Sequence, residues 1–392
     1  MESDRVSFNL KYDQSGIRKY HYFMLLSLIQ KNQQVSRAQL AKLTKMSNTS
    51  VGKIIKELIE DELVIEVGQT EGGVGRRATL LEINSEGSYI IGVEIELGTI
   101  KIANVTLNGK IIEKVHLTFD VKQDPTIVLD NIADAILMMI EKMDPNMVAK
   151  LLAIGVSVPG LVSWPEGKTL AIPQLHWKNV EIKSRLEDKL DYIVYVDNDV
   201  RAVLLAESLF GNITEFRDAV CIYIGSGVGS AVMMNGEILR GHLNTLGEIG
   251  HMTLNPDGTL CDCGRLGCLQ TYICSSELEK QTLSPIQEIF DSFEQGEDWA
   301  VTIINRAKKY LSLAISNVIL TYNPEVILLS GPLVQDFASL TEDIETMSNA
   351  YILAPLRNSF QLKKSSMGKN SGVIGASALV LNEFLRHSNE DI

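Results

Sequence analysis

Two stretches of the chain repeat one pattern: a strand, a glycine turn, a second strand and an Asn-Gly pair. They read IGVEIELGTIKIANVTLNGKI at residues 91–111 and VCIYIGSGVGSAVMMNGEI at residues 220–238. Gly98 lies ten residues before Asn108, and Gly225 lies ten residues before Asn235. Asn-Gly favours the two-residue turn that joins twisted antiparallel strands. The sequence therefore predicts an internally duplicated β-hairpin unit, which constrains the fold more than any other feature.

Further segments extend each copy of the repeat. LLAIGVSVPG and YIVYVDND are typical of buried strands in the first half, and EVILLSG is typical of one in the second. The periodicity predicts helices over residues 126–143 and 300–321. Because alternating strands and helices bury their apolar faces as helices packed on a sheet, we expect a doubled α/β body with a ligand cleft between its halves.

Length and composition limit the class of protein. A chain of 392 residues can form two or three domains with a substantial core. The start, MESDRVSFNL, lacks the basic-then-apolar character of a signal peptide, and the longest apolar runs are too short to span a bilayer. Five cysteines, an odd number, argue against a disulfide framework. We expect a protein of the reducing cytoplasm with no membrane partner.

The charge is divided unevenly along the chain. Residues 1–84 carry twelve Lys/Arg and ten Asp/Glu, whereas the remainder carries twenty-four and thirty-nine. Residues 11–56 contain nine basic residues and one acidic residue, Asp13. A basic front on an acidic body is typical of a phosphate-binding module that positions the rest. Composition alone equally allows an ordinary solvated helical surface.

The front has the element order of a DNA-binding module. Residues 17–31 have apolar positions at helical spacing, and Ser36 with Gln39 forms a capping-box pattern that opens a second helix. A third helix is predicted from about Thr49 to Asp61, capped by Ser47 or Asn48. Its core face is predicted to comprise Val51, Ile54, Ile55 and Leu58.

The stretch VIEVGQTEGGVGRRATLLEI then predicts a hairpin with a flexible basic tip. Helix, helix, turn, helix and hairpin is the order of a winged helix-turn-helix, whose third helix enters the major groove. Adjacent arginines on a glycine loop suit the minor groove of A·T-rich DNA. Short helical modules also mediate protein contacts, but the turn, the charge asymmetry and the arginine loop together favour DNA. The candidate DNA contacts are Arg37, Asn48, Thr49, Ser50, Lys53, Arg76 and Arg77.

One histidine and three cysteines lie within the glycine-rich stretch GHMTLNPDGTLCDCGRLGCL, residues 250–269. His251, Cys261, Cys263 and Cys268 supply one nitrogen and three sulfurs, a set that suits tetrahedral Zn²⁺ with no open position for water. The alternative is a chance group of buried thiols. Because this segment cannot form a core of its own, we predict a structural zinc site and treat Cys221 and Cys274 as ordinary buried thiols.

With these motifs, the chain resembles the ROK family of repressors, open reading frames and kinases, and the resemblance covers nearly all of it. It implies an actin-like duplicated (RNase H-like) sugar-kinase fold with an N-terminal winged helix-turn-helix domain. It also implies a homo-oligomer, dimer or tetramer, that binds operator DNA and responds to a sugar such as xylose. The implied domains are residues 1–84, residues 85–200 together with a C-terminal helix over 372–387, and residues 201–371 with the zinc loop and the oligomerisation surface.

The resemblance also implies a sugar site at the cleft. Asn198 and Asp199 follow the strand ending at Val196 and Asp197, and they match residues that contact sugar hydroxyls; the alternative is that this Asn-Asp pair caps the following helix. At Gln270, two residues after Cys268, many members of the family carry a sugar-binding glutamate. Glutamine differs from glutamate in its hydrogen-bond donors and in its charge. The candidate sugar contacts are Gly160, Asn198, Asp199, Glu248, His251 and Gln270.

The nucleotide elements depart from the pattern of the family's kinases. The stretch Glu94–Thr99 lacks the paired glycines of a phosphate loop, and Leu329–Pro332 lacks the longer glycine run of a nucleoside-binding turn. Gly225–Gly229 is better preserved, although a tight turn explains it equally well. Because phosphoryl transfer depends on positioning and charge neutralisation, we expect no enzymatic activity. Two alternatives stay open: a sugar kinase with a DNA-binding front, and a repressor controlled by a protein partner.

Overall fold

The computed structural model describes residues 14–69 and 78–386. Its first six elements form three helices and a small antiparallel sheet of strand order β1-β3-β2. These elements are α1 (Gln14–Asn32), β1 (Val35–Ser36), α2 (Arg37–Thr44), α3 (Asn48–Glu60), β2 (Val64–Gln69) and β3 (Thr79–Ile83). This is the predicted winged helix-turn-helix. Arg76 and Arg77, at the predicted tip of the hairpin, lie outside the described residues.

Local interactions define the two short helices of this unit. The Ser36 hydroxyl accepts from the Gln39 backbone N–H, and the Gln39 side chain accepts from the Ser36 N–H, so the predicted capping box is confirmed. Ser47, one of the two predicted caps, begins α3 by accepting from the Ser50 N–H at 3.0 Å. The four predicted apolar positions of α3 are all buried. They lie in a cluster that also includes Leu381, near the C-terminus of the chain.

The first half of the body is a five-stranded sheet of order β11-β7-β4-β5-β6. Strands β4, β5 and β6 are antiparallel neighbours, and β7 and β11 run parallel to β4. The elements of this half are β4 (Tyr89–Ile95), β5 (Thr99–Thr106), β6 (Ile111–Thr118), α4 (Pro125–Lys142), α5 (Pro145–Ala149), β7 (Leu151–Val158), β8 (Leu161–Ser163), β9 (Lys168–Ile172), β10 (Trp177–Glu181), α6 (Ile182–Leu190), β11 (Val194–Asn198) and α7 (Asp199–Leu209).

The second half repeats this topology in a sheet of order β14-β13-β12-β15-β16. Strands β12, β13 and β14 are antiparallel, and β15 and β16 run parallel to β12, so each strand has a counterpart in the first sheet. The elements are β12 (Ala219–Ile224), β13 (Val228–Met234), β14 (Glu237–Ile238), α8 (Gln270–Ile273), α9 (Ser275–Thr282), α10 (Ile286–Glu294), α11 (Asp298–Tyr322), β15 (Val326–Ser330), α12 (Pro332–Asp336), α13 (Ile344–Asn349), β16 (Gln361–Lys364) and α14 (Ser371–Arg386). The predicted duplication is confirmed.

The two Asn-Gly pairs form different turns. Asn235 and Gly236 have φ of 55° and 83°, the two left-handed residues of a tight hairpin between β13 and β14. In the first copy only Gly109 has positive φ, and the Thr106 N–H donates to the Lys110 carbonyl at 3.0 Å across a three-residue loop. The two-residue turn predicted there is wrong. A register shift in the β5–β6 ladder accompanies the longer loop.

Helix α14 returns to the first sheet and packs on β4, β7 and α7. The approach is close because glycines line it: a Cβ on Gly155 would lie 1.8 Å from the Ala376 carbonyl oxygen, and one on Gly92 would lie 2.3 Å from that of Val373. The domain limits inferred from sequence stay predictions. Among the described residues, none of the helices combines the length and the apolar character needed to cross a membrane.

Candidate functional site

The His/Cys₃ group predicted from sequence is assembled in the structure. The ligand atoms of His251, Cys261, Cys263 and Cys268 all lie within 4.8 Å of one another. Cys261 Sγ is 3.7 Å from His251 Nδ1, and Cys263 Sγ is 3.6 Å from Cys268 Sγ. Tetrahedral Zn²⁺ with its usual bond lengths separates its ligand atoms by about 3.5–3.8 Å. These residues therefore fit a zinc ion in chemistry and in spacing.

Tight turns bring the three thiols together. The Cys261 N–H donates to the Arg265 carbonyl and the Gly264 N–H donates to the Cys261 carbonyl, both at 2.8 Å. Gly267 has φ of 63°, and a Cβ there would lie 1.5 Å from the Asn255 carbonyl oxygen, so only glycine fits. Burial raises the pKa of the Cys268 thiol to about 12. A bound divalent cation opposes that effect, because it deprotonates the thiols that coordinate it.

Gln270 lies beside this cluster. Its side-chain Nε2 donates to Cys261 Sγ at 3.3 Å. A glutamine can donate to a thiolate, whereas the glutamate typical of the family has no donor when ionised. The predicted contact between Gln270 and sugar stays a prediction, and no local pattern indicated its contact with sulfur.

Asn198 and Asp199 stand where β11 meets α7. Asn198 Oδ1 accepts from the N–H groups of Val200 and Arg201, which is the capping alternative weighed from sequence. Its Nδ2 donates to the Gly160 carbonyl at 3.1 Å and to Asp199 Oδ1 at 2.8 Å. Asn198 therefore joins the Gly160 turn to the start of α7. Its contact with sugar stays a prediction.

Asp199 has an unusual environment. Burial, together with the carboxylates of Glu96 and Glu248, raises the pKa of Asp199 to about 7. Asp199 Oδ1 accepts from the Val200 N–H at 2.9 Å. The carboxyl group therefore sits at the start of α7 with its charged form disfavoured by burial and by the neighbouring carboxylates.

Glu248 precedes a single turn of 3₁₀ helix, Ile249–His251, which ends at His251. His251 Nε2 lies 4.0 Å from Glu248 Oε2, while Nδ1 of the same ring faces Cys261. The two ring nitrogens therefore face different partners, Nδ1 the Cys261 thiol and Nε2 the Glu248 carboxylate. A metal ion held by His251 and the three cysteines would fix the ring orientation, with Nε2 left facing Glu248.

Sequence reasoning missed a buried ion cluster next to these residues, which we call the Asp197 cluster. Asp197 is fully buried; Arg201 Nη1 lies 3.1 Å from its Oδ1, and Arg240 Nη1 lies 2.6 Å from its Oδ2. The Arg240 guanidinium also stacks 4.1 Å above the ring of Trp164. Arg201 and Asn244 tie the loop after β14 to the first half, because Arg201 Nη2 donates to the Asn244 carbonyl and Asn244 Nδ2 donates to the Trp164 carbonyl. No local pattern signals this cluster, because Asp197 belongs to β11 whereas Arg201 belongs to α7.

The stretch matching the first phosphate loop contains its own cation. Lys101 Nζ lies 3.0 Å from Glu94 Oε2 and 2.9 Å from Glu96 Oε2. Burial and the neighbouring Glu96 raise the pKa of Glu94 to about 7. A lysine therefore neutralises the carboxylates at the β4–β5 turn.

The recognition helix α3 presents its polar residues to solvent. Asn48, Thr49, Ser50 and Lys53 are exposed, and the last three lie on the side of α3 away from its core face. Arg37, at the start of α2, forms an ion pair with Glu66 of β2 at 2.6 Å. The four α3 side chains are exposed within its first two turns, and their contacts with DNA stay a prediction, while Arg37 is held against the hairpin.

Comparison with known proteins agrees with this architecture. The profile described as ROK family matches residues 90–383, and the one described as winged helix-turn-helix DNA-binding matches residues 23–65. Fold and site together define a winged helix-turn-helix joined to a duplicated body of the sugar-kinase fold. The chain belongs to the ROK family.

Two curated relatives align over most of the chain. The xylose repressor of Bacillus spizizenii is 29% identical over 378 residues, covering 95% of this chain and 98% of the relative. The DNA-binding transcriptional dual regulator NagC of Escherichia coli is 28% identical over 366 residues, covering 90% and 89%.

Two solved structures match different shares of the chain. The crystal structure of a ROK family transcriptional regulator, a homologue of the E. coli MLC protein, matches with a TM-score of 0.80 and 27% identity over 95% of this chain and 99% of its own. A ROK family glucokinase from Streptomyces griseus, in complex with glucose and AMPPNP, matches with a TM-score of 0.65 and 22% identity over 74% and 99%. The glucokinase shows the fold of the body alone.

Proposed function

We propose that this protein is a cytoplasmic, sugar-responsive transcriptional repressor that binds operator DNA as a homo-oligomer, a dimer or a tetramer. The observation that carries the proposal is the union of a winged helix-turn-helix with a ROK body. Relatives named as a xylose repressor and as NagC align over 95% and 90% of this chain, front included. The glucokinase covers 74% of it.

The DNA contacts are assigned to the exposed face of α3. Asn48, Thr49 and Ser50 lie in its first turn, where recognition helices reach base edges, and Lys53 lies one turn further on, within reach of a phosphate. Arg76 and Arg77 complete the set as minor-groove contacts, and Arg37 contacts DNA once it exchanges Glu66 for a phosphate. Two copies of the module read the two halves of a roughly palindromic operator.

The effector site is assigned to the residues around the start of α7. Asp199, Glu248 and the Nε2 of His251 supply the polar groups, and Asn198 with Gly160 shapes the turn beside them. Carboxylate and imidazole groups that accept and donate hydrogen bonds suit a polyhydroxylated ligand such as an aldose, xylose or a similar sugar. Gln270 borders this site from the cysteine loop.

His251, Cys261, Cys263 and Cys268 would hold a structural Zn²⁺. The ion would supply charge neutralisation and rigidity to a loop rich in glycine, and it has no open position for catalysis. The role of the chain's own residues is to orient the His251 ring toward Glu248. Because the loop would then be ordered before the ligand binds, binding would cost less conformational entropy.

Catalysis is not assigned to this protein. In a kinase, the β4–β5 turn has to accept phosphates and their metal ion. Here Lys101 is already paired with Glu94 and Glu96, so its charge is engaged, and the two carboxylates at this turn oppose the approach of a triphosphate. The equivalent of Asp199 would be the general base of a kinase, and ADP release in the presence of aldoses tests that alternative.

The experiment is a binding assay in two parts. Duplexes selected from a random pool by the full-length protein serve as operator, and their affinity is measured with and without xylose, glucose or N-acetylglucosamine. A change of about 5- to 150-fold with one sugar is expected. If the protein binds operator but calorimetry detects no heat of binding with any sugar, control by a protein partner is favoured. Turnover of ATP in the presence of a sugar would establish a kinase. The absence of binding to any duplex would refute the proposal.

A further inference from the structure

Helix α1 contacts the recognition helix directly. Arg18 Nη2 lies 2.5 Å from Glu57 Oε1, and the Tyr22 hydroxyl lies 2.5 Å from Asp61 Oδ2. Glu57 is in the last turn of α3 and Asp61 is its C-terminal cap residue. The end of α3 opposite the predicted base contacts is therefore attached to α1.

The same helix is attached to the body. The rings of Phe23 and Phe384 meet edge to face with centroids 5.3 Å apart, which joins α1 to the last turns of α14. Gln30 Nε2 donates to the carbonyl of Leu209, the last residue of α7, at 3.3 Å. Leu26 and Leu381 belong to one buried cluster, so α1 has no independent core of its own.

Both body helices begin close to the proposed effector residues. Helix α7 starts at Asp199, and α14 starts beside Glu94, because a Cβ on Gly372 would lie 1.9 Å from Glu94 Oε1. The two helices pack closely along their length, and a Cβ on Gly375 would lie 2.7 Å from the Ala202 carbonyl carbon. Helices of 11 and 16 residues span roughly 16 and 24 Å. Two helices in such close contact move together.

We propose that α7 and α14 form a rigid lever that carries sugar binding at the cleft to α3 through α1, with Phe384 and Gln30 as the coupling residues. This inference rests on the proposed function. Closure of the cleft around a sugar displaces the starts of α7 and α14. Their far ends then displace α1, and the contacts of Arg18 and Tyr22 carry that shift to α3. Helix shifts of 1–2 Å are typical of such transitions.

The test uses full-length protein and three substitutions. Phe384→Ala removes the aromatic contact, Phe384→Leu restores apolar volume, and Gln30→Met removes the donor to Leu209 while keeping the side-chain length. Phe337→Ala is the matched control, because Phe337 is also a half-buried aromatic in a pair, stacked on Phe290 in the second half away from α1.

The readout is the ratio of operator affinities without and with the responding aldose from the panel of xylose, glucose and N-acetylglucosamine. We expect Phe384→Ala and Gln30→Met to reduce this ratio by about 2- to 30-fold. Phe384→Leu should recover most of the ratio, and Phe337→Ala should keep the wild-type ratio. By linkage, the ratio of sugar affinities with and without operator falls by the same factor, which a general loss of stability would not produce.

The outcomes distinguish a failure of the proposed lever from a failure of the proposed function. If the wild type responds to a sugar and both coupling variants respond equally well, the lever is wrong and the proposed function stands. If Phe337→Ala loses the response as much as Phe384→Ala does, the lever is also wrong. If the wild type responds to none of the sugars, both proposals are wrong. Should Phe384→Ala fail to fold, the ratio for Gln30→Met decides.

Discussion

Replacing Asp197 by asparagine tests the Asp197 cluster. The carboxylate has no solvent exposure, and the Arg201 and Arg240 side chains are only 5% and 15% exposed. Asparagine preserves the shape but leaves two buried guanidinium groups without a counter-charge. At an effective dielectric constant of about 20, each pair contributes about 4 kcal/mol of Coulomb energy, most of which offsets the cost of burying the charges. Removing one partner of a buried pair costs about 3–5 kcal/mol, and we expect the free energy of unfolding to fall by that amount.

Asp130 offers a matched control on the surface of the protein. It also pairs with two cations, Arg185 at 2.8 Å and Lys189 at 2.9 Å, but its side chain is 30% exposed. Exposed pairs contribute about 0–1 kcal/mol because water and salt screen them. The substitution Asp130→Asn should therefore reduce the free energy of unfolding far less than Asp197→Asn does.

Urea unfolding followed by tryptophan fluorescence measures both variants, and Trp164 lies directly under Arg240 as a local probe. Repeating the titration in 1 M salt should abolish the small effect of Asp130→Asn and leave that of Asp197→Asn, since salt screens exposed pairs far more than buried ones. Equal effects of the two substitutions, or an Asp197→Asn effect that disappears in salt, would refute the reasoning.

Three further predictions address the other parts of the site. Gln270→Glu places a carboxylate against Cys261 Sγ and should lower zinc affinity about 10- to 100-fold in a chelator competition; unchanged affinity would contradict the N–H···S contact. Because burial raises the pKa of Asp199 to about 7, the native state keeps a proton that the unfolded chain releases above about pH 4. The wild type should therefore lose stability relative to Asp199→Asn as pH rises from about 4 to about 7, and a Tm difference independent of pH would contradict this. Lys53→Ala should reduce the slope of log operator affinity against log salt by about 1, whereas Lys178→Ala on the body should not change it; equal slopes for both variants would contradict a phosphate contact.

Features that depend on neighbouring residues could be predicted from the sequence. Ser36 and Gln39 are three residues apart, so their capping box was readable before any tertiary contact was known. The buried face of α3 follows from helical periodicity, and the helices predicted over 126–143 and 300–321 begin and end within two residues of α4 and α11. The first Asn-Gly turn was predicted wrongly, because the register shift in β5–β6 depends on the partner strand.

The candidate site likewise contains features that local sequence predicts and features that only tertiary contacts create. The zinc ligands lie within eighteen residues of sequence, so their spacing was informative, and the structure brings them together. Asn198 was weighed as a sugar contact or a cap, and the structure shows the cap. The Asp197 cluster was missed because Trp164, Asp197 and Arg240 are far apart in the chain and carry no shared local pattern.

By itself, the sequence determined the duplicated hairpin, the winged helix-turn-helix and the His/Cys₃ group, because repeats, caps and short-range ligand spacing are local properties. Tertiary structure alone decided where the winged helix sits on the body. Phe23 meets Phe384, and Gln30 meets Leu209, across 361 and 179 residues of chain. Such contacts follow from the packing of whole helices and sheets, which fixes pairs of side chains that no local pattern connects.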